Sequence, residues 1–380
     1  MPTPLTIGMI SGTSLDGIDV AICHIEGHAQ QARIELLGFD TVPYSPEVRA
    51  ELFNLYEDSA NALARICSMN VVVGEAFAQA ALKVLAANGF SADDVVLAGS
   101  HGQTVWHQPE AENALLVAST LQIGDGSRIA AALNCPVVSD FRVADMAVGG
   151  TGAPLAPYMD WAVFSDANLN RCVQNIGGIG NVTWLPAAGS VNDVIAFDTG
   201  PGNMLIDALV TRISHGEHSY DRDGAIGRNG TVNYELLNSL LQDPYLDMAP
   251  PKTTGREYYG SAFVEQILAA HPLDANLIAT VTAFTAHSIA DAYRRWLPEL
   301  PDEVYINGGG ARNPLLMQML ADALDGIPVR ATDDLGVNAD SKEAVCFALM
   351  AHDAVAGYPT NVPGATGASR AVCLGNVTRL

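Results

Sequence analysis

The sequence predicts an α/β protein built from two related halves. Two stretches share one plan. "TIGMISGTSLDGIDVAIC" (6–23) and "CVQNIGGIGNVTWLP" (172–186) each run apolar segment, glycine-rich turn, apolar segment. A third, "DEVYINGGGARNPLLMQML" (302–320), reads as strand, three glycines, helix. Strand-like and helix-like segments alternate along the rest, as α/β or α+β chains with parallel crossovers do. With 380 residues, and roughly 150 per domain, about two domains are expected. Two halves that begin alike suggest a duplicated fold with a cleft between them.

The elements follow in order. Ile7–Ile10, Ile18–Ile25 and Arg33–Thr41 read as strands; Ile18, Val20 and Ile22 alternate with Asp19, Ala21 and Cys23, the period of two of a sheet. Residues 46–88 are helical in composition and stop at Asn88–Gly89. "VVLAGSHGQTV" (95–105) returns to a strand that ends in a polar loop, and "RIAAALNCPVVSDF" (128–141) reads as helix then strand. "VADMAVGGTGAPLAPYMD" (143–160), rich in Gly and Pro, marks the passage to the second half. The expected domains are 1–138 and 139–364, with a tail at 365–380 packing back on the first. Leu277, Val281, Phe284, Ser288 and Trp296 fall near helical spacing and predict an amphipathic helix; the last long helix is Ser341–Ala356.

Composition narrows the function. Half the chain is hydrophobic and the net charge is −23, which suits a globular protein and argues against nucleic-acid or acidic-membrane surfaces. A small anionic ligand stays open, because backbone N–H groups and a bound metal can supply local positive potential. Cys23, Cys67, Cys135, Cys172, Cys346 and Cys373 show no CxxC spacing and read as small buried hydrophobes of a reducing compartment. The start lacks a secretory pattern, and no uninterrupted apolar run approaches the roughly 18 residues of a membrane span. A cytoplasmic location is expected.

Three glycine turns carry the chemistry: Gly12–Asp19, Asn175–Asn181 and Asn307–Asn313. Without side chains, backbone N–H groups approach phosphate oxygens closely. Thr13 and Ser14 add hydroxyls, and Asp16 or Asp19 can hold Mg²⁺, directly or through water. The competing reading makes Asp16–Gly17 simply a hairpin turn. Neither a Walker A loop nor GxGxxG is present. Together the turns point to a nucleotide in an interdomain cleft.

Asp198 closes an apolar run ahead of a Gly/Pro turn, where a carboxylate can project into a cleft as a general base; an Asx-type turn is the alternative. Asp340 and Glu343 have capping-box spacing, so Glu343 alone reads as a helix cap. His101, Gln103, Thr104 and His107 follow a strand, and a lone histidine there is most often structural. No zinc spacing and no GxSxG occur.

"GMISGTSLDGIDVA", "SHGQTVWHQP", "SDFRVADMAVGGTGAPLAP", "NIGGIGN", "FDTGPGNML", "YDRDGA", "PPKTTGREYYG", "NGGGARNPLLM" and "SKEAVCFALMA", in this order, resemble the anhydro-N-acetylmuramic acid kinase family. The resemblance spans nearly the whole chain. It implies two related ribonuclease-H-like domains of the actin-like ATPase kind flanking an ATP cleft. It also implies ATP- and Mg²⁺-dependent, hydrolytic opening of a 1,6-anhydro bridge in cell-wall recycling. On that resemblance Asp198 is the general base. Gly12, Thr13, Ser14, Leu15, Asp16, Gly17, Ile18 and Asp19 form the first phosphate hairpin. Gly177, Gly178 and Asn181 form the second, and Gly308, Gly309 and Gly310 belong to the adenosine site. His101, Gly102, Gln103 and Thr104 line the sugar pocket with Glu343, and Asp16 and Asp19 face the metal. The partners implied are ATP and a small amino sugar, without nucleic acid or membrane; a homodimer is left open. Thr151, Met159, Asp160 and Gly180 depart from the family's usual Gln, Phe, His and Ala.

The rivals are an ordinary sugar kinase, in which Asp198 would deprotonate a hydroxyl; a non-catalytic ATP-gated binding protein; and a metal-free anhydrosugar hydrolase.

Overall fold

A computed structural model describes residues 4–12, 14–56, 61–332 and 340–380. The chain begins with β1 (Leu5–Ser11), β2 (Ile18–Glu26) and β3 (Arg33–Val42), then α1 (Pro46–Tyr56) and α2 (Ala62–Ala87). β4 (Val95–Gln108), β5 (Ser119–Ile123), α3 (Gly126–Leu133), β6 (Val137–Ser139), α4 (Val143–Ala147) and α5 (Pro157–Phe164) follow. Next come β7 (Arg171–Ile176), β8 (Ile179–Leu185), β9 (Ile195–Pro201), α6 (Met204–Ile213), α7 (Tyr234–Leu240), α8 (Arg256–Tyr259), α9 (Ser261–Ala270) and α10 (Ala275–Trp296). β10 (Glu303–Asn307), α11 (Pro314–Ala323), β11 (Val329–Ala331), α12 (Lys342–Val355), α13 (Pro363–Thr366) and β12 (Asn376–Thr378) complete it.

Two compact units result: Met1–Val163 with Asp340–Leu380, and Phe164–Ala339. The first unit's sheet runs β12-β6-β4-β1-β2-β3, with β5 against β4; the second unit's runs β11-β10-β7-β8-β9. With the side strand β5 and the edge strand β12, antiparallel to β6, set apart, both have the order 3-2-1-4-5. Three strands meander antiparallel, and two more add parallel beside the first. This repeated ribonuclease-H-like order is the α/β duplication that the two glycine hairpins led us to expect.

The division differs from the expected break after residue 138. α5 stays with the first unit because Tyr158 donates from its hydroxyl to Asp353 Oδ2 of α12 at 2.6 Å. The return begins at Asp340, not 365, because α12 lies across the first sheet. An added methyl at Gly8 of β1 would sit 1.8 Å from the Ala344 carbonyl oxygen, and one at Gly99 of β4 2.2 Å from that of Phe347. Asp353 is fully buried; besides Tyr158 it accepts from His28 Nδ1 and the Ala29 N–H, tying α12 to the turn after β2.

β1 is buried along its whole length, as a strand flanked on both edges and covered on its faces must be. Leu5, Ile7 and Met9 pack with Val73, Phe77, Ala81 and Val84 of α2. α2 is long and apolar enough to cross a membrane by length and composition, but this face of it is core. In the second unit, Ile289 and Tyr293 of α10 and Leu316 and Leu320 of α11 cover Cys172, Ile176 and Phe197 of the sheet.

Three expectations change. β4 reaches its polar loop later than expected: it runs on to Gln108 because β5 pairs with it from Gln103 onward. α10 is not simply amphipathic, since nearly every residue from Leu277 to Ala290 is buried. It tolerates this because Thr280 and Thr282 return their hydroxyls to the carbonyls of Asn276 and Ile278, leaving little unmet polarity. All six cysteines are free, but Cys67 and Cys373 are exposed.

Candidate active site

The described residues place the sequence-derived site in two sets, one per unit. In the first, Gly12 and Ser14–Asp19 form the β1–β2 turn; Thr13 lies outside the described residues. The turn is not an Asp-Gly hairpin. Leu15 takes the left-handed conformation (φ 56°), its N–H donates to Gly12 O at 3.2 Å, and its side chain is fully buried. Gly17 is instead a point of close approach: a Cβ there would meet Thr41 Cγ2 and Val42 O at 2.8 Å. Ile18 anchors the exit in the core, while Ser14 and Asp16 stay exposed.

The extension of β4 puts His101, Gly102, Gln103 and Thr104 beside this turn. Gln103 is fully buried, and its amide nitrogen donates to Gly12 O at 3.2 Å and to the Tyr56 hydroxyl at 3.1 Å. Its role in the structure is to brace the turn. Gly102 (φ 75°) admits no side chain, since a Cβ would lie 2.5 Å from Ile123 O. Thr104 is half-buried, with its hydroxyl accepting from Gln122.

His101 is buried, and burial, reinforced by the Arg142 charge, lowers its pKa to about 3. Its Nδ1 lies 3.0 Å from Gly102 O, and Nε2 accepts from Arg142 Nε at 3.0 Å, which together require the neutral Nδ1–H tautomer. His101 is therefore a neutral prop for the Arg142 guanidinium, which also donates to Gly152 O. Its ¹⁵N ring shifts should stay those of a neutral imidazole down to about pH 4; titration near 6.5 would sink this assignment.

Arg142 is held below its usual pKa, at about 10, by desolvation, with Glu343 opposing; it remains cationic at neutral pH. Glu343 is in the first turn of α12, and its side chain is solvent-accessible. The expected capping box does not form: Ser341 is the N-cap residue, without a side-chain cap bond. Desolvation raises the Glu343 carboxyl, Asp19 adds to this, and Lys342 and Arg142 oppose it. Asp19 is raised in the same way, first by desolvation, then by Asp340 and Asp16, against a 2.6 Å hydrogen bond from Thr41 Oγ1. Asp16 and Asp340 each raise the Asp19 carboxyl, and such neighbouring carboxylates offer the oxygen donors that a hard divalent cation takes. Two departures from the family pattern find local partners: Asp160 pairs with Lys342 at 2.5 Å, and the Thr151 hydroxyl donates to Ala153 O.

In the second unit the other two glycine turns meet. Gly177 O and Gly178 O of the β7–β8 turn accept the N–H groups of Asn203 and Gly202 ahead of α6. Gly308 (φ 80°) and Gly310 pack on Asn175 and Ile176, where a Cβ would approach to 2.6 and 2.4 Å. At Gly177 and Gly309 an added Cβ would make only ordinary van der Waals contact, its nearest atoms being 3.6 and 3.5 Å away. Two turns stacked this closely expose backbone rather than side chains. Gly180 also has a reason to lack a side chain: a Cβ would come within 2.8 Å of Thr199 Oγ1.

Asn181 of β8 stands opposite Asp198 of β9. Asp198 makes no local Asx turn. Its Oδ2 accepts the Thr254 N–H at 2.8 Å, its own N–H donates to Lys252 O at 3.1 Å, and its carbonyl accepts the Tyr245 hydroxyl at 2.9 Å. Desolvation raises its pKa to about 6; the Thr254 bond and the Lys252 charge oppose this, and Glu257 adds to it. A half-buried carboxylate with one oxygen fixed by an N–H and a pKa just below neutrality is suited to accept a proton. Sequence reasoning did not single out Arg142, Lys252 or Thr254. Each acts on a residue far along the chain, and the only signal was their presence in the motif stretches.

The family model described as anhydro-N-acetylmuramic acid kinase matches residues 4–379. A protein of that name from Caldanaerobacter subterraneus subsp. tengcongensis is 44% identical over 98% of this chain and 96% of its own. One from Gloeobacter violaceus is 45% identical over 99% of both, and one from Bacillus cereus 43% over 98% of both.

Proposed function

The chain belongs to the anhydro-N-acetylmuramic acid kinase family, and from that premise we propose its reaction and the residues that perform it. The substrates are ATP, water and 1,6-anhydro-N-acetylmuramic acid; the products are N-acetylmuramic acid 6-phosphate and ADP. The activity serves cell-wall recycling in the cytoplasm, and the free cysteines suit that reducing setting.

Asp198 accepts a proton from water as its oxygen attacks the anomeric carbon. The bond from C1 to the bridging O6 breaks, and O6 takes the γ-phosphoryl group as ADP leaves. The Thr254 N–H holds Asp198 Oδ2, and Oδ1 takes the proton. The turns at Gly12–Asp19, Gly177–Asn181 and Gly308–Gly310 bind nucleotide with backbone N–H groups. Arg142, held by His101, and Glu343 bind the sugar. Asp16 and Asp19 would hold Mg²⁺, which neutralises charge on the transferring phosphoryl group.

The observation that carries this reading is the Asp198 carboxylate, clamped at one oxygen and raised toward neutral pKa. An ordinary sugar kinase would use the same base on a hydroxyl, so the test must follow the water. Reaction in oxygen-18 water should give, at the earliest time points, a 6-phosphate carrying the label at the anomeric oxygen. A phosphorylated product with its anhydro bridge intact would overturn hydrolytic coupling, and ATP hydrolysis without a sugar product would overturn the kinase.

A further inference from the structure

Lys252 is a buried cation without a carboxylate at ion-pair distance among the described residues. Its Nζ donates to the carbonyls of Tyr245 and Leu246, both at 3.3 Å. The ammonium also sits over three rings: Tyr245 at 4.8 Å, Trp296 at 5.6 Å and Phe197 at 5.9 Å. Burial at such a cost calls for a reason.

The hydrogen bonds supply one. Tyr245 and residues 252–254 touch Asp198 at three points, its N–H, its carbonyl and its Oδ2. Those two contacting segments are joined to each other by the ammonium, which spans from Lys252 to the Tyr245–Leu246 turn. The ring Asp198–Tyr245–Lys252–Asp198 is thereby closed, with the charge as its last link.

We propose that Lys252 is a positioning residue for Asp198: its charged ammonium locks the turn and the loop that grip the carboxylate and holds that carboxylate in its ionised form. The proposal rests on Asp198 being the base. Every charged group facing the ammonium bears on it. Desolvation, then Arg295, lower the Lys252 pKa to about 8, while Asp247 and Asp198 raise it. Arg295 is itself paired with Asp247, and Asp291 lines the small closed space beside Lys252 with Thr199 and Ser288. The lock therefore opens within reach of ordinary assay conditions, as pH rises past about 8.

The test is the pH profile of kcat at saturating MgATP and sugar for the wild-type enzyme, Lys252→Arg and Lys252→Met, each checked for its thermal melt. The wild type should show a fall above about pH 8. Arg, which keeps its charge, should abolish that alkaline limb. Met should lower kcat by roughly ten- to a hundredfold with little change in KM, remove the alkaline limb and move the acid limb upward. A wild-type kcat flat to pH 9.5, or an alkaline limb that survives in a folded variant, overturns the proposal; the wild-type profile decides even where neither variant folds. If instead Asp198 is not the base, Asp198→Asn keeps its kcat, an outcome separate from any change in the alkaline limb.

Discussion

Asp198→Asn is expected to reduce kcat by roughly a hundred- to ten-thousandfold, the usual worth of a positioned general base, with KM for ATP and sugar nearly unchanged. Asn keeps the side-chain oxygen that accepts from Thr254, so the local geometry survives while the basic carboxylate does not. The wild-type enzyme carries a second signature. A base must be ionised to take a proton, and desolvation lifts this carboxyl to about 6. Log kcat should therefore fall with unit slope as pH drops below about 6, and this limb should be missing from the residual activity of the variant. The melting temperature should hold or rise, because the substitution removes a carboxylate that the fold desolvates. A variant retaining more than about a tenth of wild-type kcat would move the base elsewhere.

Gly8→Val is expected to have the largest effect on stability. α12 crosses β1 so closely that even a methyl would overlap the Ala344 carbonyl and come 2.6 Å from the Ala348 N–H. Backbone cannot step aside as a flexible side chain does, so helix and sheet must separate. A loss of about 3 kcal/mol or more follows, at the upper end for overpacked cores. That corresponds to a fall in melting temperature of roughly 10 °C. Gly309→Ala is the matched control: its Cβ would meet nothing nearer than 3.5 Å, and its melt should stay within about 1 °C. Equal melts for the two variants would show that the contact at Gly8 yields readily.

Much of this architecture is legible from residue order alone, for reasons the structure makes plain. β1, β2 and β3 announce themselves because Ile18, Val20 and Ile22 alternate toward one face and the turn between β1 and β2 needs glycine. The 3-2-1-4-5 duplication is foreshadowed by two hairpins with the same apolar-glycine-apolar plan. Asp198 is legible as an acid at the end of an apolar run. Its partners are not. Thr254 lies 56 residues away, and Arg142 lies 41 residues from His101. Such pairs leave no local period, charge pattern or turn signal. The reach of β4 past His101 depends on pairing with β5, and the burial of α10 depends on what surrounds it; neither is a local property. The Asp340–Glu343 spacing misleads because helix entry here is set by how α12 docks on the sheet, with Ser341 rather than Asp340 at the cap position.

The interrupted first unit has a consequence for biosynthesis. On the ribosome, Phe164–Ala339 is complete before Asp340–Leu380 exists. The second unit can mature as a nascent domain, while the first waits with the Gly8 and Gly99 face of its sheet uncovered until α12 is made. A nonsense codon just before Lys342 would thus leave a well-formed guest inside an unfinished host, and holdase chaperones would find their target on the N-terminal sheet.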